Sequence, residues 1–351
     1  MAGLEEKSGS YNKLKRHNHY LPEMYLEKWA NDNKLFEYRL LVSHEEVPIW
    51  VEKSIGSVAS QDNLYIHMKS GVEYDDIEVF FDTEFESPAK EPLDKACTTG
   101  KLSAEEWHKL ISFVCVQYVR TPSFFQWMRN FAKEAGPSII ESAAELLEEV
   151  DNVSELHLEK PPGSEFLPIS LEITDIHPDD KHTLVGVNFI SGKGLWFFGI
   201  THMLQRDSDF MIKMHSFKWS IITAHEEVCW PTSDSPFIIS TLNNKQFRLH
   251  RDGIERENVF IFFPISPKKV LVASEKRFFN YRHIADKNLS KIIKEMIIGN
   301  AFMYIYSDCE DSSIPEYRHR VVDMEEFKRV QNEYKEWYKM YIDEEVPLLR
   351  V

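Results

Sequence analysis

The sequence predicts an α+β fold with a helical middle, an antiparallel β segment after it and a small N-terminal β element. Three patterns carry that expectation. Between residues 75 and 131 apolar side chains recur every three to four positions, the period of a helix with one buried face. From 217 to 273 short runs of alternating apolar and polar residues are separated by proline-marked corners, as in antiparallel strands. Between 35 and 68 lie briefer aromatic and aliphatic runs of strand type, divided by Asn and Asp turns.

Bulk properties narrow the class. Of 351 residues, 43% are apolar and 13% aromatic, which argues against a disordered chain and is enough for a substantial core. A net charge of -16 repels polyanions at long range, so extended nucleic acid is disfavoured as a partner while a small anionic ligand is not. The 4 cysteines, Cys97, Cys115, Cys229 and Cys309, have no C-x-x-C spacing. That excludes a zinc ribbon and points to reduced thiols. Residues 1–10 lack the apolar run of a secretory signal, and no stretch is apolar for long enough to span a bilayer. The expectation is a cytosolic protein with no membrane partner. Residues 1–12 read as a mobile tail and 13–351 as a single α+β domain, because no linker composition divides the chain.

In order along the chain, Pro22 drives Leu21 out of helical space and opens a short helix over 23–30, with His17 and His19 just ahead of it. Unpaired N–H groups at a helix start suit an anion and disfavour a protonated imidazole. Strands are expected over 35–42, 48–51 and 63–68. Ile77, Phe80, Phe81 and Phe85 define a helix over 75–95, studded with carboxylates and interrupted by Pro88 and Pro92. Ser103 with Glu106 three residues on forms a capping box. The helix it opens runs through Leu110 and Val114 to Arg120, kinks at Thr121-Pro122 and continues to Phe131. A further helix is expected over 139–150 and a surface excursion over 151–182, while 184–214 is apolar throughout, is weakened by Gly186, Gly192, Gly194 and Gly199, and reads equally as strand or helix. Strands follow over 217–223, 237–240, 259–263 and 269–273, then a helix over 288–299, a strand over 303–306 and a helix over 324–341. No fixed-period repeat is present.

The run His19-Tyr20-Leu21-Pro22 with Tyr25, Leu26 and Trp29 resembles the "HYVP" opening of an uncharacterised family, domain of unknown function 4238. Gln117, Arg120, Thr121 and Pro122 resemble its "Q..RTP" element. Thr232-Ser233-Asp234-Ser235-Pro236 is similar to its "TSDNP" element, and Phe263-Pro264-Ile265-Ser266-Pro267 to its "fPLSP" element. Leu21, Ser235 and Ile265 are the departures. The resemblance implies a shared fold from about His17 to beyond Asn300, with mostly helix over 184–214; it carries no activity across.

Candidate chemistry rests on His19 and Asp234 as a catalytic pair, with Arg120, Ser233, Tyr20 and Gln117 as substrate-binding residues. A titratable imidazole, a carboxylate to orient it and a fixed guanidinium are the parts for acid–base work on an anion. Each has a plainer reading: a packed histidine, a turn carboxylate bonded to its own backbone, and a structural ion pair at the helix kink. No G-x-G-x-x-G, Walker loop, G-x-S-x-G or H-E-x-x-H motif occurs, no metal site is assigned, and no pattern identifies a cofactor. Two functions stay open. One is a hydrolase acting on a phosphorylated or nucleotide-like substrate through a His/Arg/Asp pocket; the other is a non-catalytic binding or interaction protein whose motifs are structural.

Overall fold

A computed structural model describes residues 14–69, 72–131, 134, 169–175, 183–189, 193–244, 246–250 and 253–335. The expected tail over 1–12, the expected helix over 139–150, most of the expected excursion over 151–182 and the end of the expected last helix lie outside these residues. Within them the fold is α+β.

A six-stranded sheet organises the second half of the chain. Its strands lie in the order Gln246–Leu249, Ile238–Asn243, Val259–Ser266, Lys269–Ser274, Lys218–Thr223 and Arg282–Ile284. Every neighbouring pair is antiparallel except the last. The two-residue period of a strand sorts its side chains onto two faces. Ile261, Phe263, Leu271 and Ala273 enter one core, whereas Phe260, Phe262, Val270 and Val272 enter a second. Helices cover both faces. Ser87–Cys97, Ala104–Val119, Lys193–Met203 and Asp209–Ser216 pack into the first core. Lys287–Asn300 covers the second through Ile293, Met296 and Ile297. Because both sides are buried, 259–263 reads as a nearly unbroken apolar run.

The N-terminal β element is completed from the far end of the chain. Lys34–Arg39 pairs with Trp50–Ser54 on one edge and with Tyr304–Ser307 on the other, and Tyr304–Ser307 in turn pairs with Thr232–Ser233. These four strands form one antiparallel sheet. The residue after Thr232–Ser233 is Asp234, so this sheet sets the position of one candidate side chain.

The helical middle follows its sequence signals. The Ser103 hydroxyl accepts from the Glu106 amide at 3.2 Å while the Glu106 carboxylate accepts from the Ser103 amide at 2.7 Å, which starts Ala104–Val119. Arg120 closes that helix, and Pro122, whose missing N–H is harmless in a first turn, begins a helical stretch over 122–131. Earlier, helical backbone runs without a break from Asp76 to Cys97. A π-type turn over Asp82–Glu86 precedes Pro88 and loosens the ladder where a donor is lacking.

The region expected to be mostly helix differs. Thr183–Phe189 is a strand paired with Ile169–Asp175, and two helices, Lys193–Met203 and Asp209–Ser216, come after it. Val185 and Val187 around Gly186 favour extended backbone. In Lys193–Met203 apolar residues surround the axis, so no one-sided period exposes the helix in the sequence. The strands expected over 48–51 and 63–68 fall instead at Trp50–Ser54 and His67–Lys69.

Candidate functional site

The motif segments converge on one junction. The Tyr25 hydroxyl donates to the Pro264 carbonyl at 2.8 Å, which leaves its oxygen to accept from the Thr232 hydroxyl at 2.6 Å. The indole N–H of Trp29 donates to the Trp230 carbonyl at 2.8 Å, and the Trp230 amide donates to the Pro267 carbonyl at 2.8 Å. The Ser123 hydroxyl donates to that of Ser235 at 3.0 Å. Segments more than 200 residues apart are thus joined through side chains rather than sheet ladders.

Arg120, 1% exposed, ties the His19 end of the first motif to the helical middle. Its guanidinium donates to the Glu86 carboxylate and to the backbone carbonyl of His19, and lies 4.7 Å from the centre of the Phe81 ring. Tyr65 donates its hydroxyl to the Arg120 carbonyl at 2.8 Å. Burial works against the charge, but Glu86, Tyr65 and Glu78 outweigh it and hold the pKa above the usual arginine value. The anion that Arg120 clamps is therefore Glu86 of the same chain.

Asp234 is also sealed, at 2% exposure. Its carboxylate accepts from the amides of Phe302 at 2.8 Å, Met303 at 2.6 Å and Tyr304 at 3.1 Å. Burial pushes the carboxyl up to about 7, against the pull of those three donors. Ser233 is buried beside it, its hydroxyl accepting from the Ser235 amide at 3.3 Å. Tyr20 is buried too. Burial, then Tyr306 and Asp234, push its hydroxyl well above the ordinary tyrosine range. Gln117 is wholly buried, and its side-chain amide makes no hydrogen bond among the described residues.

The imidazoles face carboxylates. His19 Nε2 lies 3.4 Å from Glu23 Oε1, and His17 Nδ1 lies 3.0 Å from Asp62 Oδ1. Burial lowers the His19 pKa in spite of Glu23, whereas the hydrogen bond to Asp62 raises that of His17. The expected anion site before the first helix is thus flanked by two negative groups, and that helix, Glu23–Leu26, is a single turn. The structure brings His19 to Arg120 through its backbone carbonyl and sets Tyr20 near Asp234. No hydrogen bond or ion pair joins Asp234 to His19 or Arg120. The expected open pocket formed by these three side chains is not seen, because the guanidinium and the carboxylate are both turned to partners inside the core.

Residues 17–311, which contain every motif segment in this junction, match the family described as "Protein of unknown function (DUF4238)". The chain belongs to this family. Comparisons with curated proteins and with solved structures returned no match. The helical stretch over 324–335 lies beyond the matched region.

A different concavity opens on the outer side of Lys287–Asn300. It measures about 220 Å³ and is lined by Lys287, Lys291 and Lys294 from one face of that helix, with Glu227 and Tyr317 among the opposing residues. Sequence reading found the helix but passed over the lysines. Their spacing of four and then three, out of phase with buried Ile293, Met296 and Ile297, was the available signal. Among the described residues no group of three or more His, Cys, Asp or Glu side chains is placed to hold a metal ion, and no helix is long and apolar enough to cross a membrane.

Proposed function

We propose that this chain is a cytosolic, non-catalytic binding or interaction protein, in which the motif residues hold remote parts of the fold together. One observation carries the reading: the Arg120 guanidinium and the Asp234 carboxylate, the two groups best suited to chemistry, are buried and engaged by Glu86, a backbone carbonyl and three backbone amides. A catalytic carboxylate needs reach to a substrate proton, and an anion clamp needs free donors. Here a substrate would first have to displace those internal partners, leaving buried groups unpaired at a cost of several kcal/mol by the usual scale for such losses (~3–5 kcal/mol).

The hydrolase reading retains the closeness of His19 to Arg120. It requires that Glu86 yield to a phosphoryl group. A phosphatase and nucleotidase assay of the full chain with and without divalent cations, run beside thermal denaturation of His19→Ala and Asp234→Asn, separates the two. The binding reading expects no hydrolysis above background and a lower Tm in Asp234→Asn. Turnover by the wild type that is lost in both variants while each keeps its Tm would overturn it.

A further inference from the structure

We infer that the cleft on the outer face of Lys287–Asn300 is a binding site for the phosphoryl end of a small phosphorylated molecule. The inference rests on the reading that the motif residues are structural, since it moves ligand contact from the buried junction to a solvent-facing helix. In a chain of net charge -16, this helix face gathers three ammonium groups, and although Glu227, Glu295 and Asp311 balance them in sum, they are not equally engaged.

The three lysines are not equivalent. Lys294 is fixed: it bonds Asp311 at 2.5 Å, both side chains are mostly buried, and the Ser313 hydroxyl donates to the same carboxylate at 2.6 Å. Lys287 bonds Glu227 at 2.5 Å, but these side chains are 50% and 58% exposed, and exposed pairs of this kind are weak. Lys291 is exposed and makes no hydrogen bond or ion pair among the described residues, with Glu227 in electrostatic reach. One ammonium is thus uncommitted and one is easily released. A tetrahedral phosphoryl group presents three acceptor oxygens, one more than a carboxylate, and suits point-charge donors spaced along a helix.

Size restricts the ligand further. A volume of about 220 Å³ lies below the roughly 300–1,000 Å³ typical of sites that enclose a whole drug-sized molecule. The cleft therefore takes the phosphoryl head, and the remainder extends past Tyr317, a lining residue that is 52% exposed. Glu227 and Glu295, also in the lining, disfavour polyphosphate and select for a monoester.

Isothermal titration of the full chain at low ionic strength tests this, with inorganic phosphate and adenosine monophosphate as probes. Lys291→Gln, Lys287→Gln, Tyr317→Ala and His19→Gln are compared with Lys109→Gln, a charge-matched change on the helix Ala104–Val119. Both probes are expected to bind the wild type. Lys291→Gln should weaken both by about tenfold, the factor expected for one charge-assisted hydrogen bond. Tyr317→Ala should weaken only the monophosphate, and Lys109→Gln and His19→Gln should change little. Failure of the wild type to bind either probe, or equal weakening by Lys109→Gln, overturns the site. Binding that survives Lys291→Gln and Lys287→Gln but is lost in a folded His19→Gln overturns both this site and the structural reading of the motifs. Binding untouched by all these variants overturns the site alone.

Discussion

The Arg120 guanidinium donates to the backbone carbonyl of His19, 101 residues earlier in the chain, while pairing with Glu86. Removing one member of a buried pair strands the other without compensation. Arg120→Met is expected to lower unfolding free energy by about 3–5 kcal/mol, the range for breaking a buried ion pair. Adding Glu86→Leu should recover part of that loss, because the stranded charge goes too. Urea unfolding of the two single variants and the double variant measures the coupling.

Asp234 fastens the backbone of 302–304 to the strand Thr232–Ser233. Asp234→Ala leaves the amides of Phe302, Met303 and Tyr304 without their acceptor. At about 1–3 kcal/mol for each buried donor left unpaired, a total loss of about 3 kcal/mol or more is expected. Hydrogen exchange should locate it, with protection falling first at those three amides.

Local signals were the most legible part of the fold. Ser103 and Glu106 marked a helix start that the structure realises atom for atom, and Thr121-Pro122 marked the break beside Arg120. Those features depend on neighbours within a few residues. Over 183–189 short-range propensity was divided, the resemblance favoured helix, and a partner strand decided for extended backbone. The resemblance pointed to Arg120 and Asp234, yet whether each faces solvent or an internal partner depends on Glu86 and on the backbone of 302–304, contacts that no local pattern encodes. Lys287, Lys291 and Lys294 share one face of a helix, and only the placement of Glu227 and Tyr317 opposite that face makes a cleft of it.

A pH response is expected between the helices Ala104–Val119 and Asp209–Ser216, where the rings of His108 and His215 stack at 4.2 Å. Burial, then His108, hold the His215 imidazole down to about 4 from its ordinary value of 6.5. Between those values the unfolded chain binds a proton that the folded chain does not. Stability from this group is therefore full above about pH 6.5 and is lost as pH falls through about 4. Urea midpoints measured across that interval should decline less steeply in His215→Gln than in the wild type.

The helical stretch over 324–335 is joined to the rest of the fold by Tyr334, which packs against the first core, and by polar contacts. Glu333 accepts from Arg129 at 2.7 Å and from Gln126 at 3.2 Å, and the Tyr334 carbonyl accepts from Gln61 at 2.6 Å. Glu333→Ala is expected to speed hydrogen exchange across this stretch and shift the global Tm little, as for a locally opening unit. An equal loss of protection in the six-stranded sheet would show instead that the stretch unfolds with the core.

The hydroxyls of Tyr25 and Thr232 meet at 2.6 Å across 207 residues of sequence, and the Tyr25 hydroxyl also donates to the Pro264 carbonyl, so Tyr25→Phe removes two hydrogen bonds and Thr232→Val one. Unfolding free energies of Tyr25→Phe, Thr232→Val and the double variant are the most direct measure of whether the motifs hold the fold together. The expected result is a loss of about 1–2 kcal/mol in each single variant, with the double variant falling short of the sum by at least about 0.5 kcal/mol. Single variants as stable as the wild type, or losses that simply add, would contradict it.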